Sequence, residues 1–371
     1  MKLLLTKLIF LLIIATTLFS CVEDFEFEGI SKREGIVVEG LISNQSYNDL
    51  LALPLSTRYF TIKLSNVGEV ENERNEPVLG AEIELHQDDG VVYDYAEIGN
   101  GEYGLFYENF KAEKGRNYHL EITLADGRRI TSEMQSLPRE MGMGSFSTVE
   151  QTKIDYENVL GEVRIAEHEG IGFNVTTLKN DSSDPVYYKW DLSITWIFSA
   201  DLVEDNHPLK FCWATSQNYY KEYQLLKDED GNIQNELFFL KTKNSRLNHG
   251  FSVLVRQMTM SQDYHSFWNE VQKQLDQSEL FAAPPYNIMS NLSSDDVAVY
   301  GYFGVVNEDF ERWYFDKSKI KNYGGWVDEH CEFGPRWAAY CFDCREWTYD
   351  DDQVTPYAPK WWDLLYFDIR P

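Results

Sequence analysis

The chain has 371 residues, with 33 Lys and Arg against 61 Asp and Glu, and a formal net charge of -28. Hydrophobic residues make up 43% and aromatics 15%, enough for sizeable cores, so wholesale disorder is excluded. So acidic a chain lacks the clustered Lys and Arg that a phosphate backbone requires, which excludes nucleic acid as a partner, and it is unsuited to lying flat on an anionic membrane.

Lys2 and Lys7 begin the chain, and an apolar run from Leu8 to Leu18 follows, interrupted by Thr16 and Thr17. The run is short for a membrane span and has the size of a secretory hydrophobic segment. It ends in Leu18-Phe19-Ser20-Cys21. This resembles a bacterial lipobox, with Leu three positions before the cysteine and a small residue just before it. Residues 1–20 are therefore read as a lipoprotein signal peptide, and Cys21 as the lipidated residue that anchors the chain to a membrane. Cleavage removes Lys2 and Lys7 and takes the charge to -30. Residues 21–33 read as a tether carrying Glu23, Asp24, Glu26 and Glu28. An acidic tether behind the cysteine resembles the surface-export signal of Bacteroidota lipoproteins, which implies the outer membrane and its cell-surface face; a periplasm-facing lipoprotein is the alternative.

Residues 34–138 read as short strands with turn punctuation. The strands are Gly35–Ile42, Arg58–Ser65, Ala81–His86, Val91–Tyr95, Gly104–Tyr107, Asn117–Leu124 and Arg128–Met134. Asp88-Asp89-Gly90, Gly99-Asn100-Gly101, Lys114-Gly115 and Asp126-Gly127 supply turns between them. Seven short strands in about a hundred residues predict a β-sandwich of immunoglobulin-like or transthyretin-like type. Ser136-Leu137-Pro138 closes it.

Residues 139–371 read as a second β-rich domain, so the chain is mostly β. Its clearest strands are Phe173–Leu178, Val186–Phe198, Leu237–Lys243 and Phe251–Met260. Asp230-Gly231 reads as a hairpin tip rather than a calcium loop, because Ile233 stands where such a loop needs glycine. One amphipathic helix is predicted over 262–280. Tyr264, Phe267, Trp268, Val271 and Leu275 form one stripe at helical period, Ser261 is placed to cap it, and Ala282-Ala283-Pro284-Pro285 to end it.

The tail is rich in Trp and Cys. Beyond Cys21 the cysteines are Cys212, Cys331, Cys341 and Cys344. An even count in an exported chain points to disulfides, and four cysteines allow three pairings. Cys341-Phe342-Asp343-Cys344 has the spacing of a zinc or redox motif, but the second such element of a zinc site is missing. The tail tryptophans either pack a disulfide-stapled subdomain or stand out as platforms for a glycan or other small ligand. Trp347, Trp361 and Trp362 are the candidate ligand-binding residues.

No GxSxG, P-loop, GxGxxG or HExxH pattern occurs. His168-Glu169 lacks the following His, and Gly170 and Gly172 oppose a helix there. Asp350-Asp351-Asp352 reads as a solvated loop. No enzyme, cofactor or metal site is assigned from the residues.

Ordered stretches carry a likeness along the mature chain. They are Ile36-Val37-Val38-Glu39-Gly40-Leu41-Ile42, Phe60-Thr61-Ile62-Lys63-Leu64-Ser65, Pro77-Val78-Leu79-Gly80-Ala81-Glu82-Ile83 and Gly101-Glu102-Tyr103. Residues 114–133, the Phe267-Trp268 pair, Pro284-Pro285-Tyr286-Asn287-Ile288 and Tyr300-Gly301-Tyr302-Phe303 continue it, with Cys341-Phe342-Asp343-Cys344 and Pro359-Lys360-Trp361-Trp362 at the end. In this order they resemble the Bacteroidota lipoprotein family known as domain of unknown function 4249. The resemblance implies an outer-membrane lipoprotein associated with a TonB-dependent β-barrel transporter, without catalysis, in ligand capture or channel capping. A stand-alone adhesin or glycan-binding lipoprotein is the alternative.

Overall fold

The computed structural model describes residues 35–51, 53, 58–67, 76–159, 162–216, 223–242, 244–276, 288–315, 331, 337–347 and 353–362. The signal segment, Cys21 and the acidic tether lie outside the described residues, as do Ala282-Ala283-Pro284-Pro285 and Asp350-Asp351-Asp352.

The first half contains β1 (Ile36–Ser43), α1 (Tyr47–Leu51), β2 (Phe60–Asn66), β3 (Glu82–Gln87), β4 (Val92–Gly99), β5 (Glu102–Leu105), β6 (Asn117–Thr123), β7 (Arg129–Ser132) and β8 (Gln135–Ser136). The predicted strands are all present, most with shifted ends. β4 turns the corner of the sandwich: Val92–Tyr95 pair with β3, and Ala96–Gly99 pair with β5. Gly99, Asn100 and Gly101 all have positive φ, the conformation that a tight reversal into β5 needs and that Gly and Asn supply cheaply. Alternation sets the faces. In β6, Tyr118, Leu120 and Ile122 point inward, while Asn117, His119 and Glu121 point outward.

The second half contains β9 (Ser145–Val159), β10 (Glu162–Thr176), β11 (Val186–Ser199), β12 (Phe211–Ser216), β13 (Gln224–Asp228), β14 (Gln234–Lys241), β15 (Phe251–Met260), α2 (Gln262–Asp276), β16 (Leu292–Ser293), β17 (Val299–Phe315) and β18 (Gln353–Thr355). A sheet ordered β17-β15-β11-β12-β18 faces a three-stranded sheet ordered β14-β10-β9. Phe173, Val175, Leu237 and Leu240 from the smaller sheet meet Trp190, Trp196, Phe251 and Val255 from the larger one.

β17 joins the two halves. Residues Val299 to Val306 run parallel to β1, and Asn307 to Phe315 run antiparallel to β15. Leu292, Phe303 and Val305 thereby enter the core of the N-terminal sandwich, which is built from residues on both sides of position 139. Without β17, β1 would present an unpaired edge. Gly301 makes the pairing possible: its φ is 89°, and a Cβ there would sit 2.1 Å from the Val38 carbonyl oxygen.

α2 starts where predicted, with the Ser261 hydroxyl accepting from the Tyr264 N–H at 3.2 Å. Its Tyr264, Phe267 and Trp268 pack on Met258, Met260, Tyr302 and Val306. The turn through Asp230-Gly231 is a correction to the sequence reading. β13 pairs with β11 and β14 with β10, so this turn crosses between the sheets and is not a hairpin tip. The segment from Thr177 to Asn180 holds it: Gly231 N–H donates to Asp228, Ile233 N–H to the Thr177 hydroxyl, and the Asn180 amide to the Glu229 carbonyl.

Two disulfides form, Cys212–Cys344 and Cys331–Cys341. The two cysteines of the Cys341–Cys344 motif therefore take different partners, which rules out their acting together as a metal chelate or a redox pair in this state. Cys212–Cys344 ties β12 to the tail and lies in the core of the second half.

Candidate functional site

A buried charge centre lies where β17 changes partners. The Glu308 side chain is 0% exposed and receives the Ser43 hydroxyl at 2.6 Å, Arg58 at 2.6 Å and Arg256 Nε at 2.6 Å. Arg256 also reaches Asp191 at 3.3 Å, and Lys189 closes on the other oxygen of Asp191. The Lys189 ammonium lies 4.6 Å from the Trp268 ring centroid and 4.7 Å from that of Tyr223. Burial works to raise the pKa of Glu308, but Arg256 and Arg58 outweigh it and hold the carboxyl below its ordinary value. Burial likewise opposes the charge of Arg256, and Glu308 with Asp191 reverses the effect and raises its pKa. Each charge here is matched by a partner. The cluster is suited to fixing β1, β11, β15 and β17 in register, and leaves no unpaired base or nucleophile for chemistry.

Trp347, Trp361 and Trp362 have occupied surroundings. Trp347 packs on Phe198 at 4.4 Å and Tyr340 at 5.1 Å between ring centroids. The Trp361 ring carries the Arg312 guanidinium 3.4 Å from its centroid, and its carbonyl accepts from the Tyr314 hydroxyl at 2.7 Å. Trp362 is 5% exposed and packs with Ile197 and Trp213. These contacts describe the packing reading of the tail. The exposed large aromatics of this region are instead Trp337, Phe342 and Tyr357. A cavity of about 250 Å³ lies between Arg139, Asp184, Tyr187, Thr259 and Gln262, below the roughly 300–1,000 Å³ of ordinary ligand pockets.

The feature that stands out on the surface is a two-stranded ribbon. β14 pairs with β10 only from Gly170 to Thr176. From Glu169↔Thr152 to Glu162↔Val159, β9 and β10 continue as eight further pairs with no third strand among the described residues. At about 3.4 Å per residue, the ribbon extends on the order of 27 Å beyond the three-stranded sheet. Cross-strand register puts Tyr156 opposite Ile165, and Ile154 two residues from Tyr156 on the same face, with Val163 two residues from Ile165. These four side chains are 67–72% exposed. The same face also carries Glu167, opposite Ile154, and Glu169, opposite Thr152, while the other face carries Lys153, Asp155 and Arg164.

This apolar face has a structural origin. Val163 and Ile165 share the parity of Ile171, Phe173 and Val175, which are buried against the larger sheet. The core-facing side of β10 thus runs outward past the layer that covers it. Contiguous apolar surface of this kind marks a docking site in soluble proteins. The sequence reading missed these four residues. Their alternation is legible, but alternation alone describes any half-buried strand, and only the structure shows that burial along β10 begins at Gly170, where β14 also joins the pair.

No curated protein matches the chain significantly. The family model described as Domain of unknown function (DUF4249) matches residues 22–312. That span covers the N-terminal core, most of the second core, the ribbon and the Glu308 centre, and the chain belongs to this family.

Proposed function

We propose that the protein is a non-catalytic outer-membrane lipoprotein, displayed at the cell surface, that assists a TonB-dependent β-barrel transporter in ligand capture or channel capping. The observation that carries this reading is the projecting ribbon, whose apolar face is built like a core face and lacks a covering layer. Membership of the family supports it, as do the lipobox-like residues ending at Cys21. Among the described residues no helix is long and apolar enough to cross a membrane. The fully paired charges at Glu308 favour a binding role over catalysis.

Affinity purification from outer membranes in mild detergent tests the reading. The wild-type chain recovers a β-barrel transporter, and a Tyr156→Ser, Ile165→Ser variant recovers little of it. Truncating an aromatic anchor costs about 2 kcal/mol or more, roughly 30-fold in affinity. Recovery of no transporter by the wild-type chain, or equal recovery by the variant, contradicts the proposal.

A further inference from the structure

The solvent face of the N-terminal sandwich holds a second cluster, far in character from the ribbon. On β3, Glu84 and His86 both point outward, and on the neighbouring β6 so do His119 and Glu121. The strands are antiparallel, and the register sets His86 opposite His119 and Glu84 opposite Glu121. Glu-x-His on one strand therefore meets His-x-Glu on the other, and the four side chains form two adjoining rungs. The imidazole rings are stacked, with centroids 5.0 Å apart. His86 Nε2 lies 3.1 Å from Glu84 Oε2 and 3.9 Å from Glu121 Oε2, and His119 Nε2 lies 3.4 Å from Glu121 Oε1. The ligand-type atoms of His86, His119 and Glu121 all fall within 4.8 Å of one another.

The geometry points to a divalent transition-metal site, formed by His86 and His119 through Nε2 and by Glu121, with Glu84 beside it in reach of His86. Four-coordinate Zn²⁺ takes imidazole nitrogens and carboxylate oxygens at about 2.0–2.2 Å, which separates neighbouring donors by roughly 3.3–3.5 Å. The separations here bracket that value, so small side-chain rotations close the shell. Two imidazoles with carboxylates suit Zn²⁺ and its neighbours Ni²⁺ and Cu²⁺ better than Ca²⁺ or Mg²⁺, which prefer an all-oxygen set.

The electrostatics of the rungs give a second, independent reason. Like charges directly opposite on neighbouring strands destabilise a sheet. Here Glu84 faces Glu121 on one side and Asp94 on the other, three carboxylates in a row across β4, β3 and β6. Among the described residues the ion-pair partners of Glu84 and Glu121 are these two imidazoles. One divalent cation between the rungs offsets the charge of Glu84 and Glu121. The strands that carry the donors are fixed by Ile83, Leu85, Leu120 and Ile122 in the core beneath, so the donors sit on a rigid base.

The site does not depend on a transporter, and its test does not involve one. The full chain, purified and stripped with a chelator, is titrated with Zn²⁺ by calorimetry and loaded with Cu²⁺ for electron paramagnetic resonance. The expected result is one site per chain, tighter than the diffuse binding of surface carboxylates, with a Cu²⁺ spectrum showing two nitrogen donors. Losing even an outer partner of a metal ligand costs about 10–100-fold in affinity, so H86N/H119N abolishes the site and E84Q/E121Q weakens it about tenfold or more. H207N, away from the cluster, leaves it unchanged. All these positions are on the surface, and unchanged melting of each variant confirms an intact fold. A tight site that survives H86N/H119N, a Cu²⁺ spectrum with oxygen donors only, or no site tighter than the diffuse background overturns the inference.

Discussion

Arg256 on β15 closes on the carboxylate of Glu308 on β17 at the point where β17 leaves β15 and joins β1, with Nε 2.6 Å from Oε1. The pair sits between the two cores, and Ser43 and Arg58 reach it from the N-terminal half. Its removal should therefore affect both halves together. Glu308→Ala leaves Arg256 and Arg58 without their shared partner, and breaking a buried pair in this way costs about 3–5 kcal/mol. Urea unfolding followed by tryptophan fluorescence measures the loss.

The same carboxylate sets an acid limit. Its folded pKa is below its ordinary value, so it contributes stability that is complete above the unfolded pKa of about 4.3 and is lost as pH falls through the folded value. Stability of the wild-type chain should fall in the window below pH ~4.5. Glu308→Gln, already less stable at neutral pH, should show a shallower fall there.

Gly301 carries the parallel pairing of β1 with β17. Gly301→Ala forces a side chain into a left-handed position and into the Val38 carbonyl. The backbone strain alone costs about 1–3 kcal/mol, and the close contact adds to it. A thermal melt should show a clear drop in midpoint. A Gly-to-Ala change at Gly90, where open space surrounds the position, should cost only the strain.

The Cys212–Cys344 disulfide spans 132 residues and encloses most of the second half. Removing a native disulfide of this kind costs about 2–5 kcal/mol. Cys212→Ala with Cys344→Ala should lower the urea midpoint of the second half, and peptide mapping without reduction should recover Cys331 joined to Cys341.

Much of this architecture is legible in the residues. Phe251–Met260 is a strand with the predicted ends, and Val186–Phe198 is extended by one residue, because each is flanked by turn or cap residues. The helix from Gln262 shows in its stripe and its Ser261 cap. β17 does not show. Its residues from Tyr302 to Glu308 are buried on both faces, so the run lacks alternation, and its polar Asn307-Glu308-Asp309 reads as a break although Glu308 is paired within the protein. Nor does pairing at long range show in a single chain. The ribbon's bare face and the meeting of His86 with His119 are products of register, and their faint signals are the alternation around Tyr156 and the mirrored Glu-x-His and His-x-Glu.

We propose that the ribbon docks on an outer-membrane transporter. Photo-crosslinking in living cells, from a benzoyl-phenylalanine placed at Tyr156, tests it most directly. The account predicts one dominant adduct, containing a TonB-dependent β-barrel, that disappears when Ile165 is changed to Ser. Adducts with no β-barrel, or crosslinking no stronger than from an exposed position such as Tyr357, would contradict it.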